Sequence, residues 1–261
     1  MKYNLKIVAL MVALFFIAQL IGLYVVNQYT AKELPYKIER PQFEESTSYI
    51  PITFMIIIAT GIALFMIRFK TQRLWKIWFF LGITFALLIS FAAFIPDMLA
   101  LLLAVLIAAI KVFRPNYIIH NLGEIFMYGG LAAIFVPVLS LKSIFILLVI
   151  ISVYDMIAVW KTKHMIKLAK FQSDIKVFAG LLIPYTDKKT AILGGGDIGF
   201  PLLFAGTVLK TYSIVSALIV VVFASIALFI LLYYAKKNKF YPAMPFLSIG
   251  CLIGYLVSLL L

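Results

Sequence analysis

Along the chain, apolar runs of thirteen to twenty-one residues alternate with short polar breaks. The runs occupy residues 7–26, 52–67, 74–94, 98–110, 118–136, 143–160, 191–209, 214–234 and 241–261. Most approach the length of about 20 residues needed to cross a bilayer as a helix. They do not alternate as barrel strands do, and backbone groups in hydrocarbon must be hydrogen-bonded within the chain, so all nine predict transmembrane helices. The longest break, 161–190, contains an apolar stretch, VFAGLLI at 177–183, that is too short to span and is ended by Pro184. That stretch reads as a strand or as a segment lying in the interface.

Composition agrees with this pattern. Of 261 residues, 65% are hydrophobic and 13% charged, where a soluble chain has about 45–50% and about 25%. The expected architecture is an all-α polytopic membrane protein, a single membrane domain over 1–261 without a separate soluble domain. Lys2 and Lys6 before 7–26 look like the start of a signal sequence, but the run is too long and no small-x-small site follows, so it is read as the first span. Cys251, the one cysteine, excludes an intrachain disulfide and reads as a small packing residue.

Nine spans with a cytoplasmic N-terminus put 18 of the 23 Lys and Arg inside and 5 outside, which leaves the C-terminus outside. Without the fourth span the same start gives 8 inside and 15 outside, so charge favours nine spans over eight. The 161–190 loop is then cytoplasmic. It carries Lys161, Lys163, Lys167, Lys170, Lys176, Lys188 and Lys189, which suit anionic lipid headgroups. The net charge of +13 calls for no nucleic acid.

Acids inside a bilayer are costly enough to mark function. Of the ten Asp and Glu, Glu33, Glu39, Glu44 and Glu45 fall in the first loop, Asp97 in a turn, and Asp174 and Asp187 in the long loop. Glu124, Asp155 and Asp197 remain within spans. Glu124 reads as a hydrated interfacial acid or as a polar contact behind a site. Asp155 precedes Lys161 by six positions and Asp197 follows Lys189 by eight, which places them about 9 Å and about 12 Å from the cytoplasmic ends of antiparallel neighbours. They share a depth at which neither span carries a Lys or Arg. The competing reading is a pair of polar packing contacts.

The surroundings of these acids are unusual for span sequence. Gly194, Gly195 and Gly196 precede Asp197 and suit either close backbone approach or small-residue helix packing. Pro201, four residues after Asp197, cannot donate to its carbonyl and predicts a kink there. The last run opens FYPAMPFL, where Pro242 suits a first helical turn and Pro245 leaves further backbone unpaired.

In order, Tyr154-Asp155 in VYDMIAV, Gly194-Gly195-Gly196-Asp197 in GGGDIGFPLLFAG, and Pro242-Ala243-Met244 resemble the YD, GxGD and PAL signatures of the presenilin and signal peptide peptidase family. Their order and their placement on spans six, seven and nine make the set specific. The chain looks most like the compact microbial members, and its N-inside orientation resembles the presenilin branch. Met244 stands where the family usually has Leu, a swap of similar volume.

The resemblance implies an intramembrane aspartyl protease in a cell membrane, with Asp155 and Asp197 as the catalytic pair. Tyr154, the three glycines and Pro242 to Met244 would support the site and hold substrate. It also implies a strand before span seven, from 177–183 or nearer Thr190, that pairs with unwound substrate. The substrates expected are transmembrane helices and signal-peptide-like segments, with lipid as the other partner. Two carboxyls a few ångströms apart in a low dielectric share one proton, so one can activate water while the other polarises the scissile carbonyl. No cofactor or metal is expected: there is no HExxH or GxSxG pattern, and His120 and His164 read as interfacial side chains. A proton- or cation-coupled transporter using the same two aspartates is the alternative from another class. An inactive binding protein of protease shape is a third.

Overall fold

The computed structural model describes residues 3–260 apart from 70, 163–164, 166–167, 169–170, 173–174, 176, 187–188 and 237–239. Lys2, His164, Asp174, Asp187, Lys163, Lys167, Lys170, Lys176 and Lys188 lie outside the described residues. The order is α1 (Leu5–Thr30), α2 (Tyr49–Arg68), α3 (Gln72–Ala92), α4 (Asp97–Phe113), α5 (Tyr117–Phe135), α6 (Leu141–Met156), β1 (Gly180–Thr186), β2 (Lys189–Gly194), α7 (Gly195–Thr211), α8 (Ile214–Tyr234) and α9 (Met244–Ser258). Among the described residues six helices are long and apolar enough to cross a membrane, those on α1, α2, α3, α5, α6 and α8. α4, α7 and α9 are shorter, at 17, 17 and 15 residues.

Several helices begin where a polar side chain meets their free N–H groups. Asn4 accepts from Lys6, Asn116 from Ile118 and Ile119, Ser140 from Ser143, and Ser213 from Ser216. These are ordinary N-cap contacts, and they fix the entry of α1, α5, α6 and α8.

Two expected boundaries move. Residues 191–194 are strand rather than the start of a span, because Leu193, Ile192 and Ala191 pair with Leu181, Leu182 and Ile183 in an antiparallel hairpin. An apolar run lacking helical punctuation fits either state, and the pairing partner decides. The last helix starts at Met244 rather than Tyr241, with Pro245 rather than Pro242 in its first turn, where a missing N–H costs nothing. Both strand readings of the long loop meet here: β1 takes up most of 177–183 and β2 lies nearer Thr190.

α1 and α5 form the centre. α1 packs on α5, α7 and α8, while α5 also packs on α3, α4, α7 and β1. Lipid-soluble helices gain little from burying apolar area against one another, so close backbone approach matters more. Gly129 on α5 lies against Gly22 on α1, where a Cβ would come 3.2 Å from the Gly22 Cα. At Gly130 a Cβ would run into the backbone carbonyl of Ala86 on α3. Backbone cannot move aside as a side-chain tip can. Gly130→Ala is therefore expected to destabilise the protein by about 3 kcal/mol, at the upper end of overpacking costs. Unfolding in detergent measures it, with Gly61→Ala as a control in open space. α2 is held least, burying only Ile52, Ala63 and Met66 against the rest.

Candidate active site

α6, α7 and α9 pack on one another, and Asp155, Asp197 and the Pro242 to Met244 segment lie at that junction. Asp155 lies one residue before the end of α6 and is buried. Directly after α6 the chain widens into a π-type turn, Ile157–Lys161, closed by the Thr162 N–H on the Ile157 carbonyl at 2.9 Å. Such turns recur at functional sites because they shift backbone by one residue without breaking the helix. Met244 N–H donates to Asp155 Oδ2 at 3.1 Å, and Ala243 N–H also donates to this carboxyl. The start of α9 thus offers its unpaired N–H groups to an acid from another helix, as helix starts do for anions.

Asp197 occupies the third position of α7 and is half-buried. Its carboxyl accepts from the N–H of Gly194, the residue that caps the helix. This is the reach-back half of a capping box, made by Asp in place of Glu. Asp155 is close enough for its charge to act on the Asp197 carboxyl. Because α7 starts only at Gly195, Pro201 deprives a first-turn carbonyl of its partner and α7 continues through it to Thr211. The next carbonyl, that of Ile198, accepts from Nε2 of Gln19 on α1 at 2.8 Å.

The three glycines differ. A Cβ on Gly195 would come 2.6 Å from the Tyr128 hydroxyl, and one on Gly194 would come 3.2 Å from Asp197 Oδ2, whereas Gly196 faces only Phe200 at 3.5 Å. Pro242, Ala243 and Met244 are buried against the junction. Tyr154 is directed elsewhere: its hydroxyl donates to Thr60 Oγ1 on α2 at 3.2 Å.

Glu124 corrects the interfacial reading. It is fully buried on α5, ion-paired with Lys111 of α4, and accepts from the Tyr128 hydroxyl. Lys111 follows Ile110 and reads as the first loop residue from sequence, but α4 continues to Phe113 and carries it into the core at 1% exposure. His120 is buried too, with Nε2 2.8 Å from the Gly180 carbonyl. The spacing 120, 124, 128 is four residues each time, one stripe along α5, and that periodicity was the available signal.

The family model described as signal-peptide peptidase, presenilin aspartyl protease matches residues 12–261. The chain belongs to that family, and it is a multi-pass integral membrane protein and an intramembrane aspartyl protease. Among solved structures it is similar to a presenilin family intramembrane aspartate protease in a C222 crystal, at 21% identity and a TM-score of 0.71, covering 97% of this chain and 98% of that one. A second such structure, in a P2 crystal, gives 22% identity and 0.69 over 96% of each chain. At these identities the likeness is one of fold. Among curated protein sequences there is no match. Neither the family nor these structures lend support to a transporter.

Proposed function

We propose that the protein hydrolyses peptide bonds within transmembrane helices of other membrane proteins, with Asp155 and Asp197 as general base and acid. The observation that carries this reading is the meeting of the two acids at one helix junction, each held by backbone N–H groups at a helix start. The pair shares one proton. The ionised member takes a proton from water as it attacks the scissile carbonyl, while the neutral member donates to the carbonyl oxygen. Collapse of the tetrahedral species returns that proton to the carboxylate pair and delivers one to the departing amine. All bonds made and broken are accounted for by water and two carboxyls.

A peptide bond in a helix is shielded by its own hydrogen bonds, so substrate must unwind locally. β2 runs directly into Gly194 and Asp197, which supports an extended substrate segment alongside it. Gly194, Gly195, Gly196 and the Pro242 to Met244 segment support the acids and line the substrate path, and Tyr154 supports the site from the position before Asp155 by tying α6 to Thr60 of α2. We also assign nine spans in one membrane domain, with the N-terminus and the 161–190 loop cytoplasmic and the C-terminus outside.

The test is cleavage of a transmembrane peptide by protein reconstituted in vesicles. A peptide mimic with a hydroxyl in place of the scissile carbonyl is expected to bind wild type at least about 100-fold more tightly than the matching peptide, by resembling the tetrahedral species. Competition binding measures this. Equal affinities would remove the two-carboxyl mechanism, and ion flux without peptide products would remove proteolysis.

A further inference from the structure

We propose that Asn121 and His120 are positioning residues that replace a third strand on the outer edge of β1, so that the hairpin is assembled before substrate arrives and only β2 is open to it. The inference rests on the proteolytic reading above for its substrate part, whereas the clamp on the hairpin stands on geometry alone.

Asn121 Nδ2 donates to the Leu182 carbonyl at 2.8 Å, and the Leu182 N–H donates to Asn121 Oδ1 at 2.9 Å. A primary amide satisfies both backbone groups of one strand residue, as a neighbouring strand would. One position before Asn121 on α5, His120 Nε2 lies 2.8 Å from the Gly180 carbonyl, two residues up the strand. Gly180 has φ 135°, a conformation costly for any residue with a Cβ, which turns its backbone out of the usual strand path. Here His120 is the donor, since a carbonyl only accepts.

The pairing register then decides which edge is free. Leu182 stands opposite Ile192. Both backbone groups of Leu182 are used by Asn121, so 182 and 192 form a pair that exchanges no bonds, and the Ile192 N–H and carbonyl point away from β1. Gly180 opposite Gly194 and Pro184 opposite Thr190 fall in the same phase. Two details agree with it. Pro184, which has no N–H, sits where the ladder needs none. The Gly194 N–H, directed outward in this phase, meets the Asp197 carboxyl.

Along the outer edge of β2, which no strand pairs among the described residues, Ile192 is therefore the residue whose backbone groups face outward just before those of Gly194 reach the acid. Its side chain is 38% exposed, while Ala191 and Leu193 on either side are buried. An extended substrate laid on this edge passes Asp197. On the other edge α5 is already in place. A two-stranded hairpin alone is marginal in stability, and substrate that had to order it would lose affinity by that amount. Asn121 and His120 remove that cost in advance.

The experiment uses the whole protein in detergent or vesicles, with amide hydrogen exchange of the free enzyme and cleavage of a transmembrane peptide. In Asn121→Leu, which keeps the branching at Cγ and removes both hydrogen bonds, the amides of β1 and β2 are expected to exchange at least about tenfold faster, while those of α1 and α5 do not change. KM for the peptide is expected to rise about tenfold with kcat within about threefold, the mark of a lost ground-state interaction. His120→Leu should reproduce a weaker form of both effects, and His120→Gln, which retains a donor for the Gly180 carbonyl, should restore wild-type values. This second pair keeps the proposal falsifiable should Asn121→Leu fail to fold. Unchanged exchange in β1 and β2 for Asn121→Leu and His120→Leu overturns the clamp, and faster exchange with unchanged KM overturns its role toward substrate. A wild type that cleaves no peptide overturns the proteolytic reading instead, and hydrogen exchange still decides the clamp.

Discussion

Asp155→Asn and Asp197→Asn are each expected to lower cleavage of a reconstituted transmembrane peptide by about 1,000-fold or more, the scale of lost general acid or base catalysis. Asparagine keeps the shape of the side chain and an oxygen that can accept from Met244 N–H in one case and Gly194 N–H in the other. Loss of packing or of the helix-start contacts is thereby excluded as the cause, and unfolding in detergent should change by no more than about 1 kcal/mol. The two changes together should be no worse than either alone, because a proton shared between two groups is lost with the first. Cleavage that survives either substitution would remove that residue from the mechanism.

The second large effect concerns the buried pair behind the site. Lys111→Met alone leaves the Glu124 carboxylate without its cation, and Glu124→Met alone leaves the ammonium of Lys111. Each is expected to cost about 3–5 kcal/mol, because an unpaired charge in the core has lost its water and gained nothing. Tyr128 loses its acceptor in any such Glu124 variant, at a further cost of about 1–3 kcal/mol. The combination Lys111→Met, Glu124→Met, Tyr128→Phe is expected to recover most of the loss, since apolar side chains of similar volume then fill the same space. Detergent unfolding of the four proteins measures this. A triple variant as unstable as the singles would mean that the network supplies net stability. Recovery of stability without activity would assign it to the placement of Tyr128 against Gly195, next to Asp197.

Much of this arrangement is legible along the chain. Long apolar runs reveal the helices, since backbone in lipid is satisfied only in helices or closed barrels and these runs do not alternate as barrel strands do. Asp155 and Asp197 stand out because an acid at that depth requires a reason. The hairpin is less legible: residues 191–194 are apolar enough to continue a helix, and only the partner strand shows otherwise. Lys111 illustrates a different failure. A lysine after an apolar run usually reports the water boundary, and its partner lies 13 residues away on another helix, outside the reach of local pattern. The π-type turn after Asp155 has no signature in residue type, because it depends on how α6 is seated.

The two acids are located by unequal means. Asp197 takes its reference from its own strand and helix, a few residues away, while Asp155 takes its reference from Ala243 and Met244, about ninety positions further along. Those residues are the tip of α9, which is locked to α8 where Gly250 and Gly254 admit the backbone of Phe223 and Val220. Any tilt of the α8–α9 pair relative to α6 therefore shifts the backbone anchor of Asp155, whereas the anchor of Asp197 lies within its own strand–helix junction.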